Sequence, residues 1–176
     1  MISSKYDWQF ATNFTDEKFL KKAKKAGLEP AAASLLYQRG VQTEEALQEF
    51  LEPSLDQLHD PYDLHDMERA VERIRAAIEN YEQILIYGDY DADGMTSASI
   101  VKEALEQLGA ECQVYLPNRF TDGYGPNSSV YKYFIENQGI SLIITVDNGV
   151  AGLEAIELAQ SLGVDVIVTD HHSMPE

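Results

Sequence analysis

The stretch ILIYGDYDADGMTSASIVKEALEQLG (residues 84–109) decides the fold class. ILIY (84–87) is a short apolar run with the character of a strand, and TSASIVKEALEQLG (96–109) has the character of a helix. Between them Asp89, Asp91 and Asp93 alternate and end in a glycine. The succession recurs downstream. CQVYL (112–116), SLIITV (141–146) and VDVIVT (164–169) are strand-like, whereas SSVYKYFIENQG (128–139) and AGLEAIELAQSLG (151–163) are helical. Four apolar strands alternating with three helices predict βαβ units and a buried parallel sheet, an α/β fold.

The first 80 residues follow a different pattern, that of short helices. Thr15 is placed to cap a segment running to Gly27, Pro30 suits the first turn of a second helix ending before Gly40, and Thr43 caps a third that stops near Pro53. After the loop SLDQLHDPYDLHD (54–66), Asp66 is placed to cap a longer helix. Met67, Ala70, Val71, Ile74, Ala77, Ile78 and Tyr81 form its buried stripe. The expected organisation is a helical region over 1–80 and an α/β domain over 81–176. The sequence stops seven residues after VDVIVT, with four strands against a usual five or six, so an N-terminal piece of a longer protein is expected.

The chain has 176 residues, 44% of them hydrophobic, which argues against disorder despite a net charge of −17. A single cysteine, Cys112, excludes an internal disulfide. No apolar run approaches the ~18–20 residues of a membrane span, and MISSKYDWQF carries no secretory h-region. A cytoplasmic protein is expected. Residues 1–80 hold 10 basic and 15 acidic groups, net −5, whereas residues 81–176 hold 3 and 15, net −12. Such a surface repels nucleic acid and attracts cations.

In an open α/β sheet the ligand site lies beyond the carboxyl ends of the strands. Asp89, Asp91 and Asp93 follow the first strand, Asp147 follows the third, and Asp170, His171 and His172 follow the fourth. Asp147 before Asn-Gly could by itself be a turn former. The triplet is harder to dismiss, because alternation in a strand would put three carboxylates on one side, where a cation would relieve their repulsion. An EF-hand is excluded: its twelfth position would be Ile100, and a strand rather than a helix precedes the triplet. Hard oxygens with imidazole match a divalent site and lean towards Mn²⁺ over Mg²⁺. Two such ions about 3.5–4 Å apart can clamp a phosphoryl group. No P-loop, GxGxxG or nucleophile motif competes, and Cys112 within a strand is expected to be a buried apolar residue. In the loop PNRFTDGYGPN (117–127), Arg119 suits phosphate, and Phe120 and Tyr124 suit base stacking. Lys18, Lys21, Lys22 and Lys25 share a helical face expected to be solvated, and His59 and His65 are expected to be structural.

These motifs carry a resemblance. GDYDADGMTS (88–97), ITVDNGV (144–150) and VTDHH (168–172) are similar to the first three motifs of the DHH phosphoesterase superfamily. Within it, LLYQRGVQTEEALQEFL (35–51), LHDPYDLHDM (58–67) and PNRFTDGYG (117–125) resemble the RecJ family of single-strand-specific exonucleases. The resemblance implies a Rossmann-like DHH domain. It further implies a 5′→3′ exonuclease on single-stranded DNA, dependent on two Mn²⁺ or Mg²⁺ ions and active in recombination, mismatch repair and base-excision repair. Single-strand-binding protein and a RecQ-type helicase are the implied protein partners. By motif, Asp91 and Asp93 would ligate the two metals and Asp147 would bridge them. His171 would ligate metal, His172 would contact the scissile phosphate, and Asp170 would orient the histidines. Some superfamily members carry a metal-binding His where this chain has Tyr87, and Asp89 is the candidate to replace it. A fourth acidic motif, a DHH-associated domain and an OB-fold belong further along in the family, so this stretch alone is expected to be inactive. The competing readings are a phosphodiesterase of short oligonucleotides or cyclic dinucleotides, and a metal-binding module without catalysis.

Overall fold

A computed structural model describes residues 16–174, with one compact unit up to Asp60 and a second from Pro61. The first unit holds α1 (Glu17–Lys25), α2 (Pro30–Gln38) and α3 (Glu44–Leu51), followed by a short 3-10 turn at Leu55–Gln57. Asp16 caps α1, accepting from the backbone N–H of Lys18 at 2.9 Å and of Phe19 at 3.0 Å. Thr15, the expected cap, lies outside the described residues. Pro30 opens α2, and the Thr43 hydroxyl caps α3 by accepting from the Ala46 N–H. Phe19, Ala23, Ala33 and Leu47 form a small shared core.

The second unit holds α4 (Met67–Glu79), β1 (Gln83–Tyr87), α5 (Ala92–Gln107), β2 (Glu111–Tyr115), α6 (Ser128–Gln138), β3 (Ile140–Val146), α7 (Leu153–Ser161) and β4 (Asp165–Thr169). The four strands are all parallel in the order β2-β1-β3-β4. Alternation divides the side chains between two layers. Ile84, Ile86, Leu142, Ile144 and Val146 pack with Ala77 of α4 and Ala98 and Leu105 of α5. Leu85, Tyr87 and Ile143 pack with Tyr131 of α6 and Ala155 and Ala159 of α7. Helices therefore cover both faces, the condition under which a parallel sheet is stable. Among the described residues, no helix is long and apolar enough to cross a membrane.

The second compact unit begins at Pro61, and Ala77, with Ile74 and Ile78, belongs to the core of the sheet. The structure differs from the sequence expectation at two points near α4. Tyr81 leaves the apolar stripe: it lies past the end of α4 in a left-handed conformation (φ 55°) and is 81% exposed. Asp66 precedes α4 but is itself left-handed (φ 58°) and makes no side-chain cap bond. His65 is exposed, and its ring lies 3.3 Å from the neighbouring Asp66 carboxylate.

Arg73 fastens α4 to the amino ends of the strands. Its Nε lies 2.5 Å from Asp165 Oδ2, and a second guanidinium nitrogen donates to Glu82 Oε2 at 2.6 Å and to the Ser141 carbonyl at 3.3 Å. The Ser141 hydroxyl also donates to Glu82, at 2.9 Å. The Arg73 hydrogen bond holds the Glu82 carboxyl below its ordinary range, outweighing the effect of burial. A depressed carboxyl contributes stability that is present above its unfolded pKa and lost as pH falls through its folded value. Arg73→Ala is expected to destabilise the protein by about 1–2 kcal/mol at neutral pH, since the group is partly exposed. The gap from wild type should close as pH falls through the Glu82 titration, and urea denaturation across a pH series measures both effects.

Candidate functional site

β1 and β3 are neighbours, and their outgoing connections run to opposite sides of the sheet. The crevice between such strands is where open α/β sheets bind ligands. The Asp89–Asp93 triplet lies on one side of it, but not as alternating strand residues. β1 ends at Tyr87, and α5 starts at Ala92, four residues earlier than the sequence suggests. The reason is a helix cap: Asp91 Oδ1 accepts from the Gly94 N–H at 3.0 Å and opens α5. Asp93 is exposed in the first helical turn, so both carboxylates sit at a helix N-terminus, where the dipole favours them. Asp89 turns inward, is 2% exposed, and accepts from the Tyr90 N–H at 2.7 Å. Gly94 permits this turn, because a Cβ there would lie 2.4 Å from the Asp89 backbone nitrogen.

Asp147 follows β3 in a left-handed conformation (φ 60°) and is 9% exposed. Its backbone N–H continues the ladder to the Thr169 carbonyl at 3.0 Å, which brings the end of β4 alongside. Its Oδ1 lies 2.9 Å from His171 Nε2. Asn148, read with its neighbours as a turn, is buried, and its amide donates to the carbonyls of Tyr87 (3.3 Å) and Val146 (3.1 Å). It thus ties the ends of β1 and β3 together, a role that only their adjacency reveals.

The Asp170 side chain is 1% exposed. Its Oδ2 accepts from the Val150 N–H at 3.0 Å; its Oδ1 accepts from the His172 N–H at 3.0 Å and lies 2.7 Å from His172 Nδ1. Expected to orient the histidines, Asp170 is enclosed and holds the His172 ring by this bond. The His171 and His172 rings lie side by side, their centroids 4.6 Å apart.

Burial and the charge of Asp91 push the Asp147 carboxyl up, with Asp93 adding to the shift and His171 opposing it. Burial also works against ionisation of Asp170, but the hydrogen bonds from Val150 and His172 outweigh it and leave this carboxyl below its ordinary range. The Asp170 hydrogen bond raises the His172 imidazole.

Among the described residues, one group has ligand geometry for a cation: donor atoms of Asp147, His171 and His172 all lie within 4.8 Å of one another. That spread suits a common centre at bonds of about 2.0–2.4 Å, and one carboxylate with two imidazoles suits a borderline divalent ion. Asp89, Asp91 and Asp93 stand outside this group, although the Asp91 and Asp93 charges are felt at Asp147. The donor set fits a divalent cation. Beside it opens a cleft of about 360 Å³, walled by Ser97, Ile100 and Val101 of α5 and by Asp147, Asp170 and His171.

The loop after β2 returns to the same edge. The Arg119 guanidinium stands over the Tyr90 ring at 5.5 Å, and Tyr124 meets His172 edge-on at 6.1 Å. Burial, followed by the charges of Asp89, Asp170 and Asp147, raises the Tyr124 phenol. Tyr87 donates its hydroxyl to the Gly125 carbonyl at 3.1 Å and so anchors this loop. Cys112 is half-buried, packs on the core of the sheet, and takes no part in the site.

A family model described as the N-terminal domain of the DHH family matches residues 83–176. The chain is 42% identical over 172 residues to the single-stranded-DNA-specific exonuclease RecJ of Bacillus subtilis, an alignment covering 98% of this chain and 22% of the relative. It is 40% identical over 149 residues to the protein of that name from Escherichia coli, covering 84% of this chain and 25% of the relative. The chain thus spans about a quarter or less of the length of these relatives. A crystal structure of exonuclease RecJ bound to manganese superposes with a TM-score of 0.60 at 32% identity, over 64% of this chain and 29% of that one. RecJ from Thermus thermophilus in complex with Mn²⁺ superposes with a TM-score of 0.60 at 28% identity, over 90% of this chain and 21% of that one.

Gly94→Ala is the sharpest test of the turn that carries the aspartates. The added methyl meets backbone rather than a movable side chain, so a loss of about 1–3 kcal/mol is expected. Chemical denaturation measures it, and an unchanged midpoint would mean that the turn is not closed as described.

Proposed function

The chain belongs to the DHH family, and on that premise we propose that it serves a metal-dependent exonuclease acting from the 5′ end of single-stranded DNA, in recombination and repair. The observation that carries this reading is the convergence of Asp147, His171 and His172 where β3 and β4 end, with Asp91 and Asp93 close enough to perturb Asp147. The 42% identity to an exonuclease of this specificity supports the substrate class.

In this reading Asp91, Asp93, Asp147 and His171 would hold two Mn²⁺ or Mg²⁺ ions, and Asp147 would be the ligand common to both. Asp89 is the candidate further ligand, in place of the histidine that some superfamily members carry at the position of Tyr87. When bound, the ions supply an activated water and charge neutralisation at the phosphate and its leaving oxygen. The remaining work falls to the chain. His172, its imidazole raised by Asp170, donates to a non-bridging phosphate oxygen. Asp170 holds that ring in place from its buried position. Arg119 offers a cation to the phosphate backbone, and Tyr124 offers a ring face to a base. Single-strand-binding protein and a RecQ-type helicase are the partners, and the compartment is the cytoplasm.

Calorimetric titration with Mn²⁺ tests the metal assignment. Asp147→Ala is expected to weaken binding by more than about 100-fold, since even outer-shell changes cost 10–100-fold. Equal binding by both proteins would sink the role of Asp147. Degradation of 5′-labelled single-stranded DNA, compared with hydrolysis of cyclic dinucleotides by the complete protein, tests the substrate.

The two histidines are separable by single-turnover kinetics with metal titration. His172→Ala should lower the rate about 10²–10⁴-fold with little change in Mn²⁺ affinity, as for loss of a positioned proton donor. His171→Ala should lower both. If His172→Ala weakens Mn²⁺ as much as His171→Ala does, both imidazoles are ligands.

A further inference from the structure

The loop Pro117–Asn127 contains no helix or strand, yet it brings Arg119 against Tyr90 and Tyr124 against His172. A segment without regular structure must satisfy its polar groups by other means, and here Asp122 makes several of the bonds that close the loop. The Asp122 carboxylate accepts from the Tyr115 hydroxyl at 2.8 Å, the Asn118 N–H at 2.7 Å and the Thr121 hydroxyl at 3.0 Å. Its backbone N–H donates to the Asn118 carbonyl at 2.8 Å, and its own carbonyl accepts from the Asn127 amide at 3.0 Å. Tyr115 ends β2 and Asn127 caps α6, so Asp122 bonds to both stems of the loop.

The anchor is rigid on its inner side. The Tyr115 ring packs on Tyr87 at 5.4 Å and on Phe134 at 5.5 Å, which fixes its hydroxyl. Burial, with the neighbouring Asp122, pushes the Tyr115 phenol up to about 12, so it remains a donor. The Asn118 N–H and the Tyr115 hydroxyl hold Asp122 below the ordinary carboxylate range, so it remains a charged acceptor. The other half of the loop has separate anchors: Tyr87 holds the Gly125 carbonyl, and Pro126 packs on Gly152. Loss of Asp122 would therefore release the arm carrying Arg119 while leaving the sheet and the metal-binding group intact.

We propose that Asp122 is a positioning residue for the substrate: it pre-orders the first half of the loop so that Arg119 stands ready along the nucleic-acid backbone. This deepens the proposed exonuclease reading and rests on it. Asp122 touches neither substrate nor metal, and its effect passes through Arg119. A loop that is already ordered spares the ordering cost that binding would otherwise carry.

The test uses the complete protein with Mn²⁺ and a short 5′-phosphorylated oligothymidylate. Asp122→Ala is expected to raise KM about tenfold while kcat moves less than about threefold, the signature of lost uniform binding. Mn²⁺ affinity by calorimetry should match wild type, whereas general damage to the fold would lower it too. Asp122→Asn should fall between, because its amide oxygen still accepts. Adding Arg119→Ala to Asp122→Ala should cost less than Arg119→Ala costs in wild type, because the two act as one unit. Should Asp122→Ala fail to fold, Tyr115→Phe removes only the anchoring hydroxyl and must raise KM in the same direction. Unchanged KM in a folded variant, or strictly additive losses, would overturn the inference. Wild type that neither binds nor degrades the oligothymidylate would instead sink the exonuclease reading.

Discussion

β1 and β3 pair in parallel, with Ile84 opposite Leu142 and Tyr87 opposite Thr145. Because the two strands run the same way, the turns that follow them emerge on one edge of the sheet. β4 pairs in turn with β3, Val146 opposite Thr169, and the Asp147 N–H adds one more rung to that ladder. Asp170 and His171 follow directly. The 2.9 Å approach of His171 to Asp147 is a consequence of this register. A slip of one residue would reverse which face each side chain occupies and would part the two groups.

The same arrangement sets like charges against one another. Asp147 sits at φ 60° with its carboxyl raised by burial and by Asp91. Left-handed non-glycine residues cost of the order of 1–3 kcal/mol and persist where the surroundings over-determine them. Here the surroundings are two layers of buried aliphatic side chains and the Asn148 bridge from β3 to β1. Relief comes from the α5 N-terminus for Asp91 and Asp93, and from three backbone and imidazole donors for Asp170. Among the described residues of the site, Asp147 has its relief from His171 and is the carboxylate pushed up, which makes it the one on which a cation would act most strongly.

Burial separates the roles of neighbouring residues with similar chemistry. Asp170 is enclosed and fixes the His172 ring, whereas both histidines remain exposed to whatever enters the cleft. Asp89 is enclosed at the turn, whereas Asp91 and Asp93 face solvent. A rigid inner carboxylate behind an exposed donor is the pattern expected where orientation matters more than reach. The loop after β2 repeats it, with Asp122 partly enclosed and Arg119, Phe120 and Tyr124 outside.

Much of this is legible in the amino-acid sequence. Apolar runs of four to six residues between helical segments specify a parallel sheet, because only strands buried on both faces lack polar alternation. Acidic and imidazole residues after three of those runs then mark one edge, since parallel strands share their carboxyl ends. The capping of α3 by Thr43 and the opening of α2 by Pro30 followed from local chemistry and stand in the structure. The alternating aspartates misled, because a helix cap competes with strand extension and Gly94 lets the cap win. The end of the α4 stripe misled too, since Tyr81 takes a left-handed turn to start β1. What the tertiary structure alone decided was the strand order, the burial of Asp89 and Asp170, and the anchoring roles of Tyr87, Asn148 and Asp122. Each depends on contacts between segments far apart in the chain or on the path of an irregular loop, and no local period encodes those distances.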